Sequence, residues 1–485
     1  MRLLTACVLV AITGVRAIGT NCGALEAASD SVRDDVRALP REKTPENFKV
    51  AFFGDSGIKE TAYSVMRLIK KEGAEAVVHA GDLDYESSPS EFFRMIDSTL
   101  GEDFPFFIAV GNHDLNAWKK DKDTDKKGYR DLIRERYERQ DIAKHCTGKT
   151  AENEACLYKG LLFALSGVGT RGKDWSSFLD EALSAHTRSE VPWKVCNWHK
   201  NQRKMQVGGK SNEVGWSAYE TCRKHGALVA TGHEHSYART HMMSSFKNQV
   251  VSQDTERMTL RNGESVCWCA GTGGKNIRPC KSNREQNPWW ASYGCEQVEE
   301  FKQGALFCTF NYGGLQTRAL CEYKDYTGRQ WDQFLLHSEL SDVAAAESSV
   351  CVPEFVEVQM QTQHERTDDG AELVFAVPDF EPAKLTEAHV QLYGKKNGDS
   401  SRMQLWLQRG DITIAWTEDP LDEEAFEAGE TWVSPDISPI IRHGVEKGEL
   451  RIRVSADVPL YDMIVGYDED ECLAPALTLE FVDEC

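Results

Sequence analysis

The chain has 485 residues, 41% of them apolar and 27% charged, which suits about three domains with real cores and excludes collagen, a long coiled coil or wholesale disorder. Its 77 Asp and Glu outnumber 56 Lys and Arg, a formal net charge of -21, so bulk charge gives it no hold on nucleic acid. The imbalance is local. Residues 345–485 carry 31 acids and 10 bases, whereas residues 1–344 carry 46 of each. That step sets an expected domain boundary near 345.

The elements are predicted in chain order as follows. Residues 1–17 read as a secretory signal, with Arg2 at the start, an apolar run from Leu3 to Val15 and Ala17 at the cleavage position. The run is short for a bilayer span, so no membrane attachment is expected once it is removed. Residues 18–47 are polar and form an expected N-terminal extension packed loosely on the surface. Strands are predicted at Lys49–Phe53, Ala76–Ala80 and Phe106–Val110, with a helix at Glu60–Lys71 whose Val65, Leu68 and Ile69 share a face. Residues 115–157 are charge-rich and read as an insertion holding a helix at Tyr129–Arg139. Strands resume at Leu161–Val168, Trp193–Trp198, Ala227–Thr231, Ser265–Ala270, Ala305–Phe310 and Thr317–Tyr323. Residues 48–344 therefore read as an α/β domain. Residues 345–485 read as all-β, with short strands such as Phe355–Gln361, Leu373–Val377, Ala388–Tyr393 and Leu477–Val482 building a β-sandwich or jelly roll.

The sequence has 15 cysteines, and fourteen remain once Cys7 leaves with the signal. An even count in an exported chain favours disulfides, and Cys146 with Cys156 makes a plausible local bridge. The pair Cys267 and Cys269 is a weaker zinc candidate, since its spacing is C-x-C and no second pair is evident.

Five polar clusters each follow an apolar strand: Asp55-Ser56-Gly57, Gly81-Asp82-Leu83-Asp84-Tyr85, Gly111-Asn112-His113-Asp114, Asn197-Trp198-His199 and Gly232-His233-Glu234-His235. Ligands of α/β sheets gather at the carboxyl ends of strands. Carboxylate, amide and imidazole donors together suit Zn, Fe or Mn better than Ca. Each cluster alone is weak. Five in order on successive strand ends are much harder to attribute to chance.

Together these motifs resemble the calcineurin-like metallophosphoesterase family over roughly residues 48–340. The resemblance implies a four-layer αββα sandwich with a dinuclear metal centre. It further implies that Asp55 and His235 bind the first metal, that Asp82 bridges both, and that Asn112, His199 and His233 bind the second. His113 stays off the metals and assists the leaving group. Gly57 stands where many members have a histidine, whereas Gly-Asp-x-x-Tyr and the run Gly232 to Arg239 are similar to the purple acid phosphatase branch. By that likeness Tyr85 is a tyrosinate ligand of ferric iron, with a packed aromatic beside the site as the alternative. Where that branch favours V-x-x-H, Cys196 stands three before His199.

The resemblance thus implies a secreted, two-metal phosphoesterase (Fe with Fe, Zn or Mn) acting on small phosphate esters through a metal-bound hydroxide. Monoesters are favoured, and a phosphodiesterase or nucleotide hydrolase of the same fold is the alternative. A non-catalytic secreted carbohydrate-binding protein is the remaining class, since residues 432–438 and 474–481 faintly resemble jelly-roll modules, some of which bind carbohydrate. Lys200, Arg203 and Lys204 follow His199 closely; a cation there could hold a substrate oxygen, and a solvated basic turn is the plainer reading of any single one. The Gly271-Thr272-Gly273-Gly274 segment is expected to make a tight turn.

Overall fold

The computed structural model describes residues 32–119 and 127–341 and, after residue 353, chiefly the strands. The signal at 1–17, residues 18–31 of the extension, and Cys22, Cys351 and Cys485 lie outside the described residues.

Seventeen strands precede residue 341: β1 (Phe48–Phe53), β2 (Ala76–His79), β3 (Phe106–Ile108), β4 (Cys146–Lys149), β5 (Asn153–Tyr158), β6 (Leu161–Ser166), β7 (Trp193–Trp198), β8 (Leu228–Thr231), β9 (Tyr237–Thr240), β10 (Met242–Ser245), β11 (Val250–Gln253), β12 (Arg257–Leu260), β13 (Cys267–Ala270), β14 (Trp290–Gly294), β15 (Gly304–Phe310), β16 (Arg318–Asp325) and β17 (Gln330–Ser338). Fifteen of them form a seven-stranded sheet, β12-β17-β16-β15-β1-β2-β3, and an eight-stranded sheet, β14-β9-β13-β8-β7-β6-β5-β4, while β10 and β11 make a two-stranded sheet. The helices are α1 (Val32–Ala38), α2 (Glu60–Lys71), α3 (Pro89–Thr99), α4 (Tyr129–Arg139), α5 (Trp175–Ser184) and α6 (Ser217–Lys224).

Alternation along the strands builds the layers. Leu161, Phe163 and Leu165 of β6 join Trp193 and Val195 of β7 and Leu228 of β8 in a core shared with β1–β3 and with α2–α4. Their neighbours Leu162, Ala164, Cys196, Trp198 and Val229 face the other way, into a second core with α1, α5 and α6. Because strand side chains alternate with a period of two, both faces of this sheet are apolar and its strands read as continuous hydrophobic runs. The result is the expected αββα sandwich. Helix α2 fits its sequence well: Glu60 opens it, Lys70 and Lys71 close it, and Val65, Leu68 and Ile69 are buried, with each charge placed to suit the helix dipole.

Two local expectations need correction. The extension is not loosely packed where it is described. Val36 of α1 is fully buried in the second core, and Arg37 donates from Nε to the carbonyl of Ala185 at 2.9 Å. The segment 115–157 is also more than an insertion, because it supplies β4 and β5 to the eight-stranded sheet. Its Cys146 and Cys156 are directly paired across those strands and bonded to each other. Three further disulfides among the described residues join Cys196 to Cys222, Cys280 to Cys295 and Cys308 to Cys321. The first explains why a cysteine stands three before His199: it staples β7 to α6. Cys267 and Cys269 are buried free thiols. Among the described residues no helix is long and apolar enough to cross a membrane.

The C-terminal region is strand-rich as expected, with an eight-stranded antiparallel order. Its long strand Glu354–Thr367 pairs with Ala476–Phe481 through residues 354–359 and with Gly370–Ala376 through residues 360–367.

Candidate metal centre

The parallel strands align their carboxyl ends. Phe53 of β1 pairs with His79 of β2, and His79 pairs with Ile108 of β3. In the other sheet Trp198 of β7 pairs with Thr231 of β8. The residues that follow these strands therefore emerge on one side. Hydrogen bonds stitch the two sheets together there: Gly54 N–H to Ala270 O at 2.9 Å, and the Asn197 side-chain amide to His79 O at 3.1 Å.

All seven sequence-expected ligands and His113 meet at this edge, in two groups. In the first, the Tyr85 hydroxyl lies 2.7 Å from Asp55 Oδ1 and 3.0 Å from His235 Nε2. His235 Nε2 is in turn 3.4 Å from Asp55 Oδ1. In the second, His199 Nε2 lies 3.2 Å from Asp82 Oδ2, 3.1 Å from Asn112 Oδ1 and 3.0 Å from His233 Nδ1. His113 stands apart: its backbone N–H donates to Asp82 Oδ1 at 2.9 Å, and its Nε2 is 4.0 Å from Asp82 Oδ2. Its side chain is 24% exposed, against 0% for His199 and 2% for Asp82, so it is more open to a bound molecule than either.

The backbone is bent to achieve this. Asp55, Asp82, Tyr85 and His233 all have left-handed φ, between 56° and 68°. Non-glycine residues adopt that region at a cost, and such outliers cluster at functional sites. Glycine is required where the loops touch: a Cβ on Gly111 would sit 2.0 Å from Asp82 N, and one on Gly271 would sit 2.8 Å from Asp55 Oδ2. The Gly271–Gly274 turn thus packs directly against the first group.

The electrostatics suit cations. Burial opposes ionisation of Asp55, yet the hydrogen bond from His235 and the charges of His199 and His235 hold its carboxyl below the usual range. Burial likewise opposes ionisation of Asp82, and the charges of His199 and His113 bring it well below that range. Burial works against protonating His199, but the charge of Asp82 pushes its imidazole up to about 9. Its Nδ1 faces Ala80 O at 2.7 Å, which leaves Nε2 with three acceptor groups around it and one proton to share. A cation there satisfies all of them at once, and Asp82, His199 and His233 bring their donor atoms within 4.8 Å of one another. The donor set fits a nitrogen-and-oxygen-bound metal ion.

Several neighbours carry no motif signal strong enough to assign. Asp114 accepts the backbone N–H groups of Asp82, Leu83 and Gly111 at 3.1, 2.8 and 2.7 Å, locking two ligand loops together. His79, given no role from sequence, sits fully buried between Ser56 and the Gly81 N–H. Lys275 places its ammonium 4.0 Å from the centre of the Tyr85 ring. Of the three basic residues after His199, Lys200 is fully buried and Lys204 bonds Gln249 instead.

Residues 48–237 match the family model of the calcineurin-like phosphoesterases. That segment is a calcineurin-like phosphoesterase domain. Solved structures that resemble the chain include a purple acid phosphatase, PPD1, from yellow lupin (Lupinus luteus) seeds, at 16% identity and a TM-score of 0.47, covering 62% of this chain and 55% of that one. Another is PhoD, at 14% identity and a TM-score of 0.39, covering 64% of this chain and 74% of that one. The chain therefore spans about half the length of the lupin enzyme. No curated protein matches it.

Proposed function

We propose that the phosphoesterase domain, with the boundaries 48–344, is a secreted metal-dependent phosphoric ester hydrolase that favours small monoesters. The reading rests on one observation: seven side chains from five separate strand ends converge as two adjoining donor groups with His113 beside them. Asp55, His235 and Tyr85 hold the first ion, Asn112, His199 and His233 hold the second, and Asp82 lies between. A bound pair of cations supplies charge neutralisation and a water acidic enough to attack phosphorus in line. The protein's own residues do the rest. His113 Nε2 delivers a proton to the departing oxygen, and Lys275 at the rim meets a phosphate oxygen with a charge-assisted hydrogen bond. Export is supported by the four disulfides, which persist in oxidising compartments.

We assign iron to the first position, with iron, zinc or manganese in the second. Burial, and then the charges of Asp55 and Asp82, push the Tyr85 phenol well above its usual range. A trivalent cation reverses that bias more strongly than a divalent one, as bound cations deprotonate their ligands. Protein expressed with iron is expected to show a visible tyrosinate-to-iron band, lost in Tyr85→Phe while the second ion stays. A colourless wild type with two zinc or manganese ions defeats the iron assignment and leaves the hydrolase reading standing. The hydrolase reading is tested with aryl phosphate mono- and diesters, with and without chelator. Chelator-sensitive turnover of the monoester is expected. Faster turnover of the diester reverses the substrate preference, and no turnover of either refutes the reading.

A further inference from the structure

Beyond His199, the loop between β7 and α6 contains no further motif residue, yet it returns a carboxylate to the metal centre. Asn201 accepts the backbone N–H of Glu213 at 3.3 Å, closing residues 201–213 on themselves beside His199. The side-chain amide of Asn201 reaches Thr231 Oγ1 at 2.8 Å, tying this closure to the end of β8, two residues before His233. The Glu213 carboxylate then lies against the far side of the His233 ring, with Oε2 2.7 Å from Nε2. Both side chains are buried, at 3% and 2% exposure. The other carboxylate oxygen, Oε1, is 3.7 Å from Nζ of Lys200, which is fully buried.

The opposite ring nitrogen, His233 Nδ1, faces His199 Nε2 at 3.0 Å inside the second donor group. An ionised carboxylate accepts only, so Glu213 favours a proton on Nε2 and leaves the lone pair on Nδ1, the side where Asp82 and His199 converge. His233 Nε2, Glu213 Oε2 and Lys200 Nζ make no linear hydrogen bond to any group. Three buried polar atoms left in that state are costly, and the contact is one of charge and distance.

We propose that Glu213 is a positioning residue for the second metal ion, fixing the tautomer and orientation of His233 so that Nδ1 points at the ion, with Lys200 as the counter-charge that keeps the carboxylate in place. The inference rests on the two-metal reading above. Outer carboxylates of this kind typically change metal affinity by about 10–100-fold.

The test is metal binding to the full-length chain, measured by calorimetric titration of metal-free protein with Zn²⁺ and, separately, Mn²⁺. Wild type is expected to take up two ions. Glu213→Gln, which keeps the bulk, is expected to weaken one of the two sites by about 10–100-fold and leave the other unchanged, with the metal-free protein melting near wild type. A role confined to pairing with Lys200 predicts the reverse: a lower melting temperature of the metal-free variant and two sites of wild-type affinity, which overturns the proposal. If Glu213→Gln does not fold, the double variant Lys200→Met/Glu213→Gln removes both charges together. One weakened site in it supports the proposal, and two intact sites overturn it. Wild type that binds neither ion refutes the functional reading itself, an outcome distinct from failure of the Glu213 assignment alone.

Discussion

At the scale of single residues, the proposed function separates groups that would hold cations from one that would face substrate. Asp82 is buried beside His199 in the second donor group, while His113 is partly exposed and touches Asp82 through its backbone. Asp82→Asn is therefore expected to lose metal and nearly all turnover, because an amide does not neutralise two cations. His113→Ala is expected to keep both ions and to cut turnover by about 10²–10⁴, the scale of a general acid or base. Metal analysis beside steady-state rates separates the two, and an emptied site in His113→Ala would make that histidine a ligand. These residues were legible in the sequence because each follows an apolar strand within a few positions, so local order carried them. Glu213 was not. It lies in a loop, 14 positions past His199, and nothing in its neighbours marks it until the loop folds back.

At the scale of elements, the segment from Tyr237 to Arg239 shows how one motif serves two ends. His233 and His235 end in the centre, but Tyr237 and Arg239, which follow on β9, turn to the sheet interface. Arg239 grips Asp332 of β17 with Nε and Nη2 at 2.6 and 2.8 Å, and the Tyr237 hydroxyl donates to the same carboxylate at 2.6 Å. All three are buried. This clamp joins the eight-stranded sheet to the seven-stranded one directly beyond the metal loop. Removing one partner of a buried charge pair costs about 3–5 kcal/mol, so Asp332→Ala is expected to lose stability on that scale. Denaturant unfolding of the metal-free protein checks it. A midpoint unchanged from wild type would show that the clamp contributes nothing net. The sequence pointed to Tyr237 and Arg239 as part of a motif but gave no hint of their partner, which comes from 93 positions away.

At the scale of the whole molecule, the chain divides by charge and by fold near the same place. The seven expected ligands and His113 lie between residues 55 and 235, Lys275 follows at the rim, and among the described residues both cores that hold the centre are built from side chains before residue 341. The acidic, strand-rich remainder follows. A chain ending at residue 344 is expected to stay folded and to hydrolyse small phosphate esters at rates near those of the full chain. Solubility, metal content and turnover of that truncation are the measurements. An insoluble product, or lost activity with both ions retained, would mean that the acidic region completes the core or the site. The carbohydrate contact proposed for that region is a separate question, which glycan binding by residues 345–485 alone would answer.

What the sequence determined by itself was whatever depends on nearest neighbours along the chain. Apolar runs specified β1, β2, β3, β6, β7 and β8, amphipathic spacing specified α2 with its observed ends, and the polar residues after each strand specified the donors. Local periodicity suffices there, since strand and helix patterns are set by which face is buried. Tertiary structure decided what depends on separate segments meeting. It placed Tyr85 against Asp55 and His235, seated α1 in a core through Val36 with Val32 packed beside it, turned β4 and β5 from an insertion into sheet edge, paired Cys196 with Cys222, and set Glu213 behind His233. Each of those contacts is fixed by chain closure over a distance, and a pattern read along the sequence has no term for it.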